Sequence, residues 1–433
     1  MTSPLPPTPV TPRIIIHGGA GNITRTTISR DRYAAYQASL RHILSTCNTL
    51  LSSPSATAVD IATHAVSMLE DDPLYNSGKG AVFTRAGTNE LEASIMVSNG
   101  YRKRGVGVMM LSHVKNPIKL AREVLIRGET ADGGGAKDHC LYAGSYVEGL
   151  AQEWGLEMVD PSYFFTQRKW DEHKKGLEDE KEKARKRGSL AAWDALSEWE
   201  KTHYIPLGTC GAVVLDRFGT ICVATSTGGL TNKVPGRIGD TPTMGAGYWA
   251  EEWFEESPPT LPQMLYQPSV TSSPLDHISR GNVGSLFNDC LPSLSSSQPS
   301  HDRALPHLSY LTQTKPKSFR HVVGISSSGN GDTFIRMAAS RTVAAKARFG
   351  SLPLSATLPW MTGPGGELQK SAGDRWGHVH EGVGGMIGIE LIGDMANVVC
   401  DYNCGGMFRA WTEEDGVEKC LIFRGNSYDS GPP

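Results

Sequence analysis

The chain has 433 residues, 39% of them apolar, and a formal net charge of -3 at pH 7. That length and composition describe a globular protein with one large core or two modest ones and exclude a wholly disordered chain. The charge balance lacks the basic excess that nucleic acid or an anionic membrane would draw, so the expected partner is a small neutral or zwitterionic molecule, with no nucleic acid and no membrane.

The opening segment MTSPLPPTPVTPR has no apolar core of signal-peptide length, and no stretch approaches the ~18 apolar residues of a membrane-spanning helix. A cytoplasmic location is the expectation. Next, 13–17 (RIIIH) reads as a buried strand that ends in a tight glycine loop, either a plain turn or a ligand-holding one. From Asp31, the apolar residues Tyr33, Tyr36, Leu40, Ile43 and Cys47 recur at helical spacing, as do Val59, Ala62, Val66 and Leu69 after a possible cap at Ser55. Pro73, Gly78, Gly80 and Gly87 then break 69–96 into a loop and a hairpin, and NPIKLAREVL (116–125) opens another helix.

The stretch 168–187 mixes both charge signs with almost no apolar stripe, which predicts a solvated helix or a flexible linker within a charged region of about 165–207. GAVVLD (211–216) and TICVATS (220–226) read as a core hairpin, and 253–320 as a Pro/Ser-rich surface insertion that adds no second domain. Strand signals resume at HVVGIS (321–326). A helix is expected from Phe334 to about Phe349, and MIGIELIG (386–393) with NVVCDY (397–402) forms a last hairpin. Helices, strand pairs and helices in that order predict one α+β domain, a four-layer αββα sandwich. The eight cysteines are scattered, with Cys400 and Cys404 the only close pair and no zinc spacing, so reduced thiols are expected.

Three segments carry chemistry. In GTCGAVVLD (208–216), Thr209 puts a hydroxyl at the mouth of a buried strand, beside a glycine that tolerates strain; a β-branched residue opening a strand is the plain alternative. In ATSTGGLTNKVPGRIGDTP (224–242), Arg237 and Asp240 stand three residues apart. A guanidinium grips a carboxylate through two parallel hydrogen bonds and a carboxylate holds an ammonium, so the pair can clamp an α-amino acid; a surface ion pair is the rival reading. SSSGNGD (326–332) offers N–H groups and hydroxyls to an oxyanion, or simply caps a helix, and it lacks the lysine of a phosphate loop. Neither HExxH nor a GxSxG elbow occurs. His17, His378 and His380 stay without a role.

Together HGGAG (17–21), LEDDPLYNSGKGAVFTR (69–85), ASIM (93–96), NPIKLAR (116–122), GTCGAV (208–213), ATSTGG (224–229), GRIGDTP (236–242) and GNGD (329–332) resemble, in register and over most of the chain, the plant-type L-asparaginase / isoaspartyl peptidase branch of the Ntn-hydrolases. The resemblance implies cleavage between Gly208 and Thr209 into regions 1–208 and 209–433, after which Thr209 is the nucleophile and its own α-amino group the base. It implies a substrate that is an amino acid or a β-aspartyl dipeptide. Thr227 would stand beside the nucleophile, Arg237 would hold the substrate carboxylate and Asp240 its ammonium. Ser328 and Gly329 would form the oxyanion hole and contact substrate, Gly331 would add a further contact, and Asn76 would shape the surroundings. No cofactor is required. A structural sodium ion would be held by main-chain carbonyls of Leu69, Glu70, Asp72, Tyr75, Ser77 and Lys79, and the assembly would be a homodimer of processed αβ units.

Four departures from the family pattern stand out. Ser328 replaces the usual Thr, Cys210 the common Val, and Glu92 the usual Asp, while the insertion at 253–320 replaces a short loop. The rival functions are a threonine-aspartase-like endopeptidase or a glycosylasparaginase-like amidase, both usually with Asp before the nucleophile where this chain has Gly208, and an uncut non-enzymatic relic with an interaction role.

Overall fold

A computed structural model describes residues 10–185, 208–255, 319–425 and 427–430. Those up to Phe254 and from Arg320 belong to one compact unit. The expected insertion, but for its edges, and the second half of the charged linker lie outside the described residues.

Two antiparallel-rich sheets organise the unit. The larger joins β1 (Arg13–Gly21), β2 (Leu91–Val97), β3 (Gly105–Leu111), β4 (Leu141–Ala143), β5 (Cys210–Leu215), β6 (Ile221–Thr227), β11 (Gly406–Thr412) and β12 (Glu418–Leu421) in the order β12-β11-β1-β5-β6-β2-β3-β4. The smaller runs β10 (Met395–Tyr402), β9 (Gly384–Ile392), β8 (Phe319–Gly329), β7 (Tyr248–Glu255). Their central strands are apolar on both faces because each face is covered, and period-two alternation sorts the side chains. Ile14, Ile16, Ala212, Val214, Cys222 and Ala224 enter the core under the outer helices. Ile15, Val213, Leu215, Ile221 and Val223 meet Val322, Ile387, Ile389 and Leu391 between the sheets. Gly324 allows that approach, since a Cβ there would strike Ile221, Val213 and Val223.

Helices α1 (Arg30–Leu51), α2 (Ala58–Asp71) and α3 (Pro117–Arg127) pack on the large sheet, and α8 (Leu354–Thr362) packs on β9 and β10. This is the expected four-layer order of helices, sheet, sheet, helices. Tyr33, Tyr36, Leu40, Ile43 and Cys47 form the buried stripe of α1, as their spacing predicts. The remaining helices are α4 (Ser145–Glu153), α5 (Gln167–Arg185), α6 (Gly331–Met337), α7 (Ala339–Gly350) and α9 (Glu367–Ala372).

Several local expectations are corrected. The glycine segment does not end β1: the strand continues to Gly21 through a bulge between His17 and Gly19, whose φ of 121° suits glycine. The cap of α2 is Thr57, whose side chain accepts from the Asp60 N–H, and not Ser55. The helix expected from Phe334 is two, broken where Ala338 takes a left-handed φ of 44°. Residues 253–255 and 319–320, counted with the insertion, continue strands. The charged stretch is a helix, α5, but not a purely solvated one: Lys169 and His173 are buried, Lys169 Nζ pairs with Glu172 at 2.9 Å, and Trp170 packs edge-on against Phe83.

Candidate active site

The ends of β1, β5, β6 and β8 converge with the 228–247 loop. Cys210 pairs with Ser226 in the β5–β6 register, which sets Thr209, one residue earlier, against Thr227, one residue later. Thr209 is buried, and its hydroxyl meets the Thr241 hydroxyl at 2.6 Å. The Thr241 carbonyl accepts in turn from the Ser94 hydroxyl at 2.6 Å and the Thr225 hydroxyl at 3.4 Å, and Ser94 and Thr225 are hydrogen-bonded to each other. The threonine hydroxyl is therefore held by a buried network, one residue before a strand whose backbone is fixed by its neighbours on both sides.

Gly208 explains itself sterically. A Cβ there would fall well inside contact distance of the Ser328 hydroxyl, with the Gly329 N and the Ala20 carbonyl crowding behind it. A Cβ on Gly19, in the β1 bulge, would in turn press on the Gly208 backbone. Ser328 is fully buried and accepts from the Ala20 N–H at 2.9 Å. Its oxygen thus lies directly against the Gly208–Thr209 junction.

Thr209 opens on a cavity of about 210 Å³ lined by Gly208, Thr227, Arg237, Asp240, Gly329 and Gly331, among others. That is below the ~300–1,000 Å³ typical of drug-sized sites and suits an amino acid. Thr227 is fixed there by accepting from the Gly229 N–H at 3.0 Å. Ser328 and Asn76 do not line the cavity. Asn76 is buried behind it, donating to the Gly229 carbonyl at 2.7 Å and accepting from the Val82 N–H at 3.0 Å, and so shapes the turn after β6.

Electrostatics single out one wall. Asp240 is buried, its Oδ2 has no partner among the described residues, and burial pushes its carboxyl up to about 7, with Arg237 pulling the other way. A buried carboxylate lacking a partner costs several kcal/mol, roughly, and invites a cation. Arg237 pairs not with Asp240 but with Asp332, at 3.0 Å across the rim. Beneath them, buried Glu92 accepts from the Gly239 N–H at 3.2 Å and from Lys233 Nζ at 3.4 Å. Burial raises the Glu92 carboxyl, opposed by Lys233 and Arg237. Glu92 thus props the loop that carries Arg237 and Asp240.

The three serines of SSSGNGD are all engaged: Ser326 with His17 Nε2 at 2.7 Å, Ser327 with Ser340 at 2.8 Å, and Ser328 with Ala20. Asn330 caps α6 by accepting from the Thr333 N–H. The helix-cap reading therefore holds for Asn330, and Gly329 remains the segment's backbone in the cavity wall. His17 lies fully buried beneath Thr209, and burial brings its imidazole down to about 3, so it stays neutral. His380 lines the cavity and His378 is exposed.

Leu69 and Glu70 end α2, Asp72 caps it, and Tyr75, Ser77 and Lys79 follow in the loop. Main-chain oxygens crowd this loop: a Cβ on Gly78 would strike the Glu70 carbonyl, and one on Gly80 the Tyr75 and Pro73 carbonyls. The Asp72 carbonyl already accepts from the Tyr75 N–H at 3.3 Å and that of Ser77 from the Gly80 N–H at 3.1 Å. Among the described residues no cluster of three or more His, Cys, Asp or Glu side chains forms a metal site.

Three participants escape sequence reasoning. Thr241 sits inside the GDTP motif with nothing in its spacing to distinguish it from Thr243, and His380 with Val383 reaches the cavity from a distant loop. Glu92 was visible only as a departure from a pattern.

Residues 10–254 match the model of a family described as asparaginase. The chain is 38% identical over 240 residues to the isoaspartyl peptidase of Escherichia coli (strain K12), covering 55% of this chain and 67% of that protein. It is 37% identical over 237 residues to the isoaspartyl peptidase of Salmonella typhimurium, covering 55% and 69%. It is 33% identical over 269 residues to the plant-type L-asparaginase of Pyrococcus furiosus, covering 62% and 80%.

Proposed function

The chain belongs to the asparaginase family, and we propose that it cuts itself between Gly208 and Thr209 and then uses Thr209 to hydrolyse L-asparagine, β-aspartyl dipeptides, or both. One observation carries this reading: Thr209 opens on the same small cavity as Arg237 and the Asp240 carboxylate, whose Oδ2 has no partner among the described residues. A nucleophile and a zwitterion clamp together match a free α-amino acid with a side-chain amide.

In the first step the Thr209 oxygen attacks the Gly208 carbonyl carbon. The peptide C–N bond breaks, its nitrogen takes up the proton that the Thr209 hydroxyl gives up and becomes the new α-amine, and water hydrolyses the resulting ester to free the Gly208 carboxylate and the Thr209 hydroxyl. The α-amine, with a reference pKa of about 7.7–8.0, then serves as base without any histidine. It takes the hydroxyl proton as the oxygen attacks the substrate's β-carbonyl. The Gly329 N–H stabilises the oxyanion, joined by the Ser328 hydroxyl once cleavage releases the Gly208 that covers it, and the protonated amine returns its proton to the departing nitrogen. Water hydrolyses the acyl-threonine, releasing aspartate. Thr227 positions the amine, Gly331 contacts substrate, and Asn76 holds the turn that carries Thr227.

Arg237 exchanges Asp332 for the substrate carboxylate, and the substrate ammonium beside Asp240 restores that group to its ionised form. Glu92 and Lys233 brace the clamp from below. Gly208, in place of aspartate, and Asp240 both favour small substrates over the endopeptidase or glycosylasparagine alternatives. Main-chain carbonyls of the 69–79 loop would hold a sodium ion, which supplies positive charge to the segment bearing Asn76. Two processed αβ units would form a dimer in a cytoplasmic setting, to be checked by sedimentation of the processed protein.

The test is steady-state hydrolysis of L-asparagine, β-aspartyl dipeptides, glycosylated asparagine and an Asp-containing polypeptide by the processed protein. Turnover confined to the first two supports the reading. Turnover of only the polypeptide or the glycosylated amide would overturn it.

A further inference from the structure

The catalytic cavity does not end at Thr209. His380 and Val383 also form the wall of a second depression, of about 370 Å³, completed by Trp376, Val379, Asn403 and Cys404. The two hollows meet beside Gly329: a Cβ on Gly329 would strike the Val383 carbonyl, and the same carbonyl accepts from the Asn330 N–H at 2.8 Å. Neither Arg237 nor Asp240 reaches the second hollow. For a substrate gripped at that pair, with its scissile carbonyl at Thr209 and Gly329, the shared wall of Val383 and His380 offers its amide substituent a way into the second hollow.

The second hollow sets Trp376, Val379 and Val383 beside the uncharged polar side chains of Asn22 and Asn403 and the His380 imidazole, and among the described residues no Lys, Arg, Asp or Glu lines it. The Asn403 amide is spent on the backbone, donating to the Gly382 carbonyl at 2.8 Å and accepting from the Gly384 N–H at 2.9 Å. The Cys404 thiol donates to the Gly406 carbonyl, and burial pushes it up to about 12, so it stays a neutral wall. The charges around it are paired: Arg375 with Glu381 at 2.6 Å, and Arg424, whose field reaches Cys404, with Asp401 at 2.8 Å. The half-buried Trp376 lines the hollow with Val379 and Val383, beside His380 and Asn22. The indole edge rests on Gly382, where a Cβ would sit 3.3 Å from it.

We propose that this hollow is the subsite for the leaving residue of β-aspartyl dipeptides and that it selects aromatic or branched aliphatic residues over glycine and charged ones. This rests on the hydrolase reading above. An aromatic side chain against Trp376 and Val379 would bury apolar surface that glycine cannot, the kind of difference worth roughly 10–200-fold in kcat/KM.

The experiment compares kcat/KM for β-aspartyl-phenylalanine, β-aspartyl-glycine and L-asparagine in the processed parent, Trp376→Ala and Val379→Arg. Asparagine releases only ammonia and so reports the Thr209 site without the subsite; the extent of self-cleavage reports folding. The expected result is at least about tenfold preference for phenylalanine over glycine in the parent, lost in Val379→Arg and reduced in Trp376→Ala, with self-cleavage complete. Equal rates for the two dipeptides in the parent, or a preference that survives both substitutions, would overturn the subsite while asparagine turnover upholds the hydrolase. Failure of fully cut parent to hydrolyse any of the three would overturn the hydrolase and the subsite with it.

Discussion

Replacing Asp240 by Asn should make the substrate-free protein more stable and the enzyme worse. In the folded chain burial holds the Asp240 carboxyl at about 7, against an ordinary value of 3.8. Between those two values the folded state keeps a proton that the unfolded chain has lost. Stability therefore falls as pH rises through that window and levels off above it. A shift of about three units at ~1.4 kcal/mol per unit sets an upper bound of ~4 kcal/mol. Water in the cavity softens this, so about 1–3 kcal/mol is expected, seen as a rise in Tm of a few degrees. The assay is the Tm, at pH 4 and pH 8, of the Thr209→Ala chain with and without Asp240→Asn, a background in which neither protein is cut. The two should coincide at pH 4 and diverge at pH 8 with the Asp240→Asn protein higher. In the active background, loss of a charge-assisted bond worth ~1.5–3 kcal/mol should raise KM for asparagine about 10–100-fold. An Asp240→Asn protein that is less stable at pH 8, or one with unchanged KM, would refute the idea of an ionisable group held unpaired for the substrate.

Three other perturbations probe the neighbourhood. Thr241→Val keeps shape but removes the partner of the Thr209 hydroxyl; self-cleavage and kcat should fall about tenfold while KM moves less than about twofold, and unchanged rates in a stopped time course would exclude a positioning role. Gly208→Ala drives a methyl into the Ser328 hydroxyl, an overpacking cost of about 1–3 kcal/mol, so gel analysis should show the chain uncut when the parent is fully cut. If sodium occupies the 69–79 loop, Tm should climb with sodium chloride beyond the effect of tetramethylammonium chloride at equal ionic strength; coincident curves would remove the ion from the account.

The layers of the fold were legible because the strands that build them are apolar on consecutive residues and the two main helices carry clean stripes. What escaped were features set by tertiary context. β7 and β12 have mixed patterns because each is the edge of its sheet with one partly open face. The break at Ala338 has no glycine or proline to announce it. Helix α5 buries Lys169 and His173 through paired charge and a bond to Asn232, so its contacts leave no apolar period. At the site, Thr209, Arg237 and Asp240 were readable because their motifs are contiguous, and the cavity brings them together. From the sequence Gly208 is a glycine that tolerates strain, whereas the structure gives a steric reason for it. Thr241 and His380 were invisible since a hydroxyl in a loop and a histidine over 150 residues from the nucleophile acquire meaning only through the fold.

The account stands or falls on the bond between Gly208 and Thr209. Intact-mass spectrometry of the purified chain and of Thr209→Ala, each fresh and aged, measures it directly. The account expects the parent to resolve into chains of residues 1–208 and 209–433, with Thr209 as a new N-terminus and amide hydrolysis appearing in step with cleavage, and the variant to remain one inactive chain. A parent that stays whole, or an uncut variant that hydrolyses asparagine at the parent's rate, would contradict it.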